Sequence, residues 1–145
     1  MISVERVIVV RRPLSELVAY MEDFTRTEEW DPSTVRCVRL DDGPVRQGAG
    51  WRNTSRFRGR ETELRYELTV REPARLVFVG ENRTVTAVDD LWFQPEGTAT
   101  RLRYRASLTF KGLARPLAPF LRPEFERLAD AVARRLPEAA GERIP

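Results

Sequence analysis

Apolar and polar residues alternate one by one from about residue 34 to residue 110. On either side, apolar residues recur instead at every third or fourth position. Period two marks strands with one buried face, and the longer period marks amphipathic helices. Val35 to Leu40 opens the alternating stretch and stops at the turn Asp41-Asp42-Gly43-Pro44. After the flexible Gln47-Gly48-Ala49-Gly50, the residues Trp51, Asn53, Ser55 and Phe57 alternate with Arg52, Thr54, Arg56 and Arg58. Gly59-Arg60 predicts a hairpin turn. Leu64, Tyr66, Leu68 and Val70 then alternate with Glu63, Arg65, Glu67 and Thr69, up to the turn Glu72-Pro73-Ala74. Leu76 to Gly80 is a short apolar strand, and Thr84 to Phe93 another, with a bulge allowed at Asp89-Asp90. Beyond Pro95-Glu96-Gly97, the residues Leu102, Tyr104, Ala106, Leu108 and Phe110 alternate with Arg101, Arg103, Arg105, Ser107 and Thr109. Turn signals this closely spaced predict an antiparallel meander.

Upstream, Val4 to Arg11 is rich in Val and Ile and reads as a further strand. Pro13 suits the first turn of a helix, and Leu14, Leu17, Val18 and Met21 follow at helical spacing. A second short turn carries Phe24 to Trp30 and ends at Asp31-Pro32, because a residue before proline avoids the helical region. Downstream, Leu117, Leu121, Phe125, Leu128, Val132 and Leu136 form one apolar stripe on a long helix. Pro116, Pro119 and Pro123 predict an irregular approach, with regular helix from near Pro123.

The order of elements predicts one α+β domain over residues 1–145, with a tail that frays after about residue 138. A curved antiparallel sheet of six to seven strands, apolar on one face, has to cover that face. The C-terminal helix is the element long enough to do it, and the twisted sheet wraps around it. The expected inward set is Trp51, Phe57, Leu64, Tyr66, Leu68, Phe78, Val88, Tyr104, Leu108, Leu117, Leu121, Phe125 and Leu128. Side chains of sheet and helix either fill the space between them or leave a cavity, and an aromatic cavity with a few polar groups is a usual ligand site. Asn53 and Ser55 fall on the face of Trp51 and Phe57, so each needs a hydrogen-bond partner there: each other, Tyr66, Tyr104, water or a ligand. Adjacent Asp89 and Asp90 point to opposite faces of a regular strand and cannot form a facing acid pair. Glu81-Asn82-Arg83 reads as a solvated turn.

Composition narrows the chemistry. The chain has no histidine and one cysteine, Cys37, which leaves no Ser-His-Asp triad, no Cys-His pair and no Cys/His zinc site. No metal and no cofactor is expected. The net charge is +3, but of 25 basic residues only Lys111 is a lysine. Arginines alternating with glutamates, as in Glu61, Glu63, Arg65 and Glu67, describe a solvated, cross-paired sheet face rather than a nucleic-acid surface. The apolar N-terminus is too short and too charged for a signal or a membrane span, so a cytoplasmic protein is expected, monomeric or homodimeric.

Several segments resemble the START-like, helix-grip superfamily, also called SRPBCC, which includes polyketide cyclase/dehydrase-like proteins. They are Pro13-Leu14-Ser15-Glu16-Leu17-Val18 with Trp30-Asp31-Pro32, then Gly48-Ala49-Gly50-Trp51, then Glu72-Pro73-Ala74-Arg75-Leu76, then Gly97-Thr98-Ala99-Thr100-Arg101-Leu102. The resemblance covers nearly the whole chain and implies a sheet wrapped around the final helix over a hydrophobic cavity. In the aromatase/cyclases, the strand matching Trp51 carries a Ser and an Arg at the next two inward positions. Here those positions are Asn53 and Ser55, so the pocket arginine that would orient a poly-ketone is missing.

The resulting expectation is a module that holds a small lipophilic, aromatic, lipid-like or polyketide-like molecule. The ligand-binding set is Trp51, Asn53, Ser55, Phe57, Tyr66, Phe78, Val88, Tyr104, Leu108, Leu121 and Phe125. Two alternatives stand beside it. A cyclase or dehydratase would need an ionisable group in the cavity, such as Tyr66, Tyr104 or a carboxylate. A co-chaperone-like domain would show an exposed apolar patch for a protein partner and no internal cavity.

Overall fold

The sheet has seven strands: β1 (Ile2–Val10), β2 (Thr34–Arg39), β3 (Gly50–Phe57), β4 (Arg60–Glu72), β5 (Arg75–Glu81), β6 (Val85–Glu96) and β7 (Ala99–Phe110). All neighbours are antiparallel, in the order β1-β7-β6-β5-β4-β3-β2. The helices are α1 (Leu14–Met21), α2 (Thr27–Trp30) and α3 (Ala118–Ala140), with 3-10 turns at Phe24–Arg26 and Gly112–Leu117. This computed structural model describes residues 1–141. The expected architecture is present: a seven-stranded open sheet, two short helices after the first strand, and a long C-terminal helix of 23 residues.

The first strand pairs with the last and forms one edge of the sheet. α3 packs there, against β1, β7 and α2. Its buried stripe is Phe125, Ala129, Val132, Leu136 and Ala140. Arg6 fixes its angle from the inward side of β1: its guanidinium donates to Glu126 at 2.8 Å and to Asp130 at 2.9 Å. Arg135 of α3 donates to the Glu29 carbonyl of α2 at 2.9 Å. The exposed edge strand β2 is partly satisfied by α2, where the Glu28 carboxylate accepts the Cys37 N–H at 2.8 Å.

The register defines the two faces of the sheet. One inward row runs Trp51, Tyr66, Gly80, Ala87, Leu108, Ile2, and the next runs Leu68, Phe78, Asp89, Ala106, Val4. The outer face carries the expected charge pairs, including Arg52–Glu63, Arg56–Glu61 and Arg75–Asp90. It also holds Trp92 between the guanidinium groups of Arg75 and Arg103, 4.2 and 5.5 Å from the ring centroid.

Several sequence-based expectations shift. Val88 lies on the outer face opposite Val79 and Ser107, because β6 pairs without interruption through Asp89 and Asp90 and alternation carries Asp89 inward. The register shifts instead in β2 between Thr34 and Arg36 and in β4 between Leu68 and Val70; the second turns Val70 outward beside Val77 and sends Arg71 toward α1, where it pairs with Glu22 at 2.8 Å. The hairpin turn is Arg58-Gly59, both at positive φ, with Arg60 already in β4. α3 begins at Ala118, before Pro123, because Pro119 falls in its first turn where a missing N–H costs nothing. It runs to Ala140, whose buried side chain holds the end of the helix past the expected fraying point. The remainder of the expected frayed tail lies outside the described residues.

Candidate functional site

The inward face divides into two halves. In the half under the 3-10 turn, Phe24 inserts its ring among the expected ligand contacts. Its centroid lies 4.4 Å from Phe78, 4.6 Å from Tyr66 and 5.9 Å from Trp51. Asp23 caps that turn by accepting the Thr25 N–H at 3.1 Å, and Thr27 donates to the Phe24 carbonyl at 2.8 Å. Local capping therefore drives Phe24 onto the sheet, and Trp51 and Phe78 are fully buried as core.

Asn53 and Ser55 are paired with protein rather than left open. Ser55 donates to Asn53 Oδ1 at 2.6 Å, and Asn53 Nδ2 reaches Thr27 and Thr34, each at 3.4 Å. This network joins β3 to α2 and the start of β2. Cys37 sits beside it, and burial pushes its thiol up to about 11, so it stays protonated.

The second half lies toward β6 and β7. Tyr66, Leu108, Leu121 and Leu128 are half-buried there, Phe125 and Tyr104 are buried, and Leu64, Val85 and Ala87 form a small apolar cluster of their own. Phe57 is half-buried at the β3–β4 hairpin, which is tied to α3 through the Arg58–Glu124 ion pair. The tyrosine ring of Tyr66 lies flat over Gly80: a Cβ on Gly80 would meet that ring at 2.6 Å. Gly80→Ala is expected to displace the ring and destabilise the protein by ~1–3 kcal/mol, the usual range for overpacking. Urea denaturation with tyrosine fluorescence checks it, and an unchanged midpoint would mean that the ring has room to move.

At the centre of this half stands Asp89. It is 8% exposed and accepts the Tyr104 hydroxyl at 2.8 Å. Tyr104 in turn meets the Trp30 ring edge to face, 5.9 Å away. Among the described residues no basic side chain bonds Asp89. Burial, opposed by the Tyr104 hydrogen bond and reinforced by the charge of Asp31, pushes its carboxyl up to about 7. Asp31 is itself raised by burial, against hydrogen bonds from the Ser33 N–H, Ser33 Oγ and Thr34 Oγ1 at 2.9, 2.8 and 3.1 Å. Burial also holds Tyr66 and Tyr104 well above the ordinary phenol range. The indole N–H groups of Trp30 and Trp51 are buried and meet no acceptor among the described residues.

The structure thus brings all the expected site residues except Val88 to the inward face, and adds Asp89, Asp31, Trp30 and Phe24. Asp89 was readable from the sequence: it shares parity with Val85, Ala87, Leu91 and Phe93, and only its charge argued against an inward position. Phe24 gave no such signal, since a residue in a short turn has no periodicity. Two grooves of about 370 and 420 Å³ are lined mainly by residues of the outer sheet face and its β2–β3 edge, and of the site residues only Tyr66 borders one of them, the larger. The smaller is lined by Leu40, Arg52, Glu63, Arg65 and Glu81, whose charges largely offset one another.

The family described as polyketide cyclase / dehydrase and lipid transport matches residues 1–141. Among curated proteins none matches the chain. Among solved structures, a START superfamily protein from Mycobacterium smegmatis superposes with a TM-score of 0.78 at 13% identity, covering 95% of this chain and 96% of that one. The di-domain ARO/CYC StfQ from the steffimycin biosynthetic pathway gives 0.73 at 15% identity, over 96% of this chain and 50% of that chain. The Zhui aromatase/cyclase from Streptomyces sp. R1128 gives 0.69 at 16% identity, over 97% and 98%. At these identities the likeness is one of fold.

Proposed function

The chain belongs to the polyketide cyclase/dehydrase and lipid transport family, and from that premise we propose that it binds a small, largely apolar molecule carrying a hydroxyl or carbonyl oxygen. The ligand lies between β6–β7 and the first half of α3, with its oxygen at Asp89. The observation that carries this reading is the buried Asp89–Tyr104 pair with no cation beside it. A carboxyl inside a core is costly, and here one of its oxygens remains for a ligand donor. The unpartnered indole N–H of Trp30 supports the same reading from the other side, as a donor for a ligand acceptor. Tyr66, Leu108, Leu121 and Phe125 supply apolar contact. Trp51, Phe78, Asn53 and Ser55, given as contacts by the sequence pattern, act on this reading as the wall behind the site. The protein works in the cytoplasm, as a monomer or homodimer, without a cofactor.

Native mass spectrometry against a panel of phenols, polyketide-like aromatics and fatty acids tests it. One-to-one uptake of an oxygenated aromatic is expected, weakened ~10-fold or more in Asp89→Asn and in Tyr104→Phe, as for one hydrogen bond to a buried group. Absence of uptake across the panel would remove the reading.

A second reading rests on the Asp89 carboxyl near 7. A group poised near working pH suits proton transfer. In a dehydration, Asp89 in its acid form would protonate a ligand hydroxyl as the carbon–oxygen bond breaks and water leaves. The resulting carboxylate would then take a proton from the neighbouring carbon as the double bond forms. Product formation by the parent protein, lost in Asp89→Asn while binding persists, separates this reading from the first.

A further inference from the structure

The segment from Lys111 to Arg122 stands apart from the rest of the surface. Leu113 is 101% exposed, Phe120 72% and Leu117 53%. Leu113 lies in the 3-10 turn, and Leu117 and Phe120, three apart, share one side of the start of α3. Leu117 is also the first member of the apolar stripe that continues through Leu121 to the buried Phe125. The same twelve residues contain Lys111, Arg115 and Arg122 and no acidic residue. Nearby carboxylates are engaged: Glu124 with Arg58, Glu126 with Arg6 and Arg122, and Glu81 with Lys111. Pro116 and Pro119 remove two backbone donors that an apolar phase could not satisfy.

We propose that this segment docks the protein on an anionic lipid bilayer, with Leu113, Leu117 and Phe120 entering the interface and Arg115, which pairs with no carboxylate among the described residues, at the headgroups. Apolar side chains flanked by basic residues are the pattern of an interfacial segment. Among the described residues no helix is long and apolar enough to cross a membrane, so the contact is peripheral. Charge selects lipid over a second copy of the chain: a two-fold contact through this patch would bring Arg115 of both copies together, while the nearby carboxylates Glu81, Glu124 and Glu126 are already paired.

The proposal does not depend on what the inner site holds. Co-sedimentation of the full chain with vesicles of phosphatidylcholine alone, or with a minority of phosphatidylglycerol, tests it. At least ~10-fold stronger binding to the anionic vesicles is expected, falling as salt is raised. Leu113→Ser with Phe120→Ser should abolish it, and Arg115→Glu should weaken it, both with unchanged thermal unfolding because the altered side chains are exposed. Asp89→Asn should leave it intact, which separates this proposal from the ligand-binding one. Absence of sedimentation with anionic vesicles, or sedimentation indifferent to these variants, would overturn it. So would a vesicle-independent dimer in light scattering that the Leu113/Phe120 variant dissolves, since the patch would then belong to a second copy.

Discussion

Between pH 4 and pH 8 the protein is expected to lose up to about 4 kcal/mol of stability through Asp89, and Asp89→Asn is expected to remove most of that loss. The carboxyl titrates at about 7 in the fold against 3.8 for the ordinary group. Between those values the folded state keeps the proton that the unfolded state has released, so unfolding releases a proton and stability falls as pH rises. Each unit of the interval is worth ~1.4 kcal/mol, which gives ~4 kcal/mol as a ceiling. The loss is complete above the folded value, and below about 4 both states are protonated and Asp89 contributes no slope. The asparagine can still accept the Tyr104 hydroxyl, while its new N–H₂ needs an acceptor, at a cost of ~1–3 kcal/mol. The variant should therefore be less stable than the parent at pH 4.5 and equal or more stable at pH 8. Asp31 is raised in the same direction, so a shallower slope remains in the variant. Urea denaturation at pH 4.5, 6 and 8 decides it. Parallel pH profiles for parent and variant would show that Asp89 is solvated in the fold.

Phe24→Ala is expected to cost ~3–5 kcal/mol, the range for removing a buried phenylalanine, and to open a void among Trp51, Tyr66 and Phe78. Those three rings stand on three adjacent strands, with Trp51 and Phe78 already edge to face at 5.7 Å, so they refill the space only in part. The void should take up a small apolar dye with one-to-one stoichiometry, where the parent takes up none in this half. Denaturant melts and dye fluorescence at a temperature where the variant is folded measure both effects. A cost under ~1 kcal/mol without dye uptake would mean that the ring is not the wedge it forms here. The result bears on ligand size: while Phe24 is in place, a ligand has only the β6–β7 half of the inward face.

Much of this was legible along the chain. The alternation from residue 34 to 110 located β2 to β7, the stripe from Leu117 to Leu136 located α3, and the short segments around Pro13 and Trp30 located α1 and α2. The candidate site was legible in part. Trp51, Tyr66, Tyr104, Leu108, Leu121 and Phe125 lie inward as their parity required, and Asn53 and Ser55 found each other. Two residues of the expected inward set are misplaced: Leu117 is exposed in the 3-10 turn before α3, and Val88 shows the limit of reading by polarity, since the apolar neighbour was chosen over Asp89 when an unbroken pairing with β5 and β7 left β6 only one phase.

The sequence by itself determined the elements, their order and the two faces of the sheet, because hydrophobic period is a local property that survives in one dimension. It also excluded histidine and thiol–histidine chemistry outright. Only the tertiary structure decided which part of the inward face is filled and which carries a charge. Phe24 reaches Phe78 and Tyr66 from a turn remote in sequence, and Asp89 becomes an acid near 7 only where Tyr104, Asp31 and the surrounding core exclude water from it. Both effects come from proximity between distant segments, and desolvation in particular belongs to a place in the fold, not to a residue type.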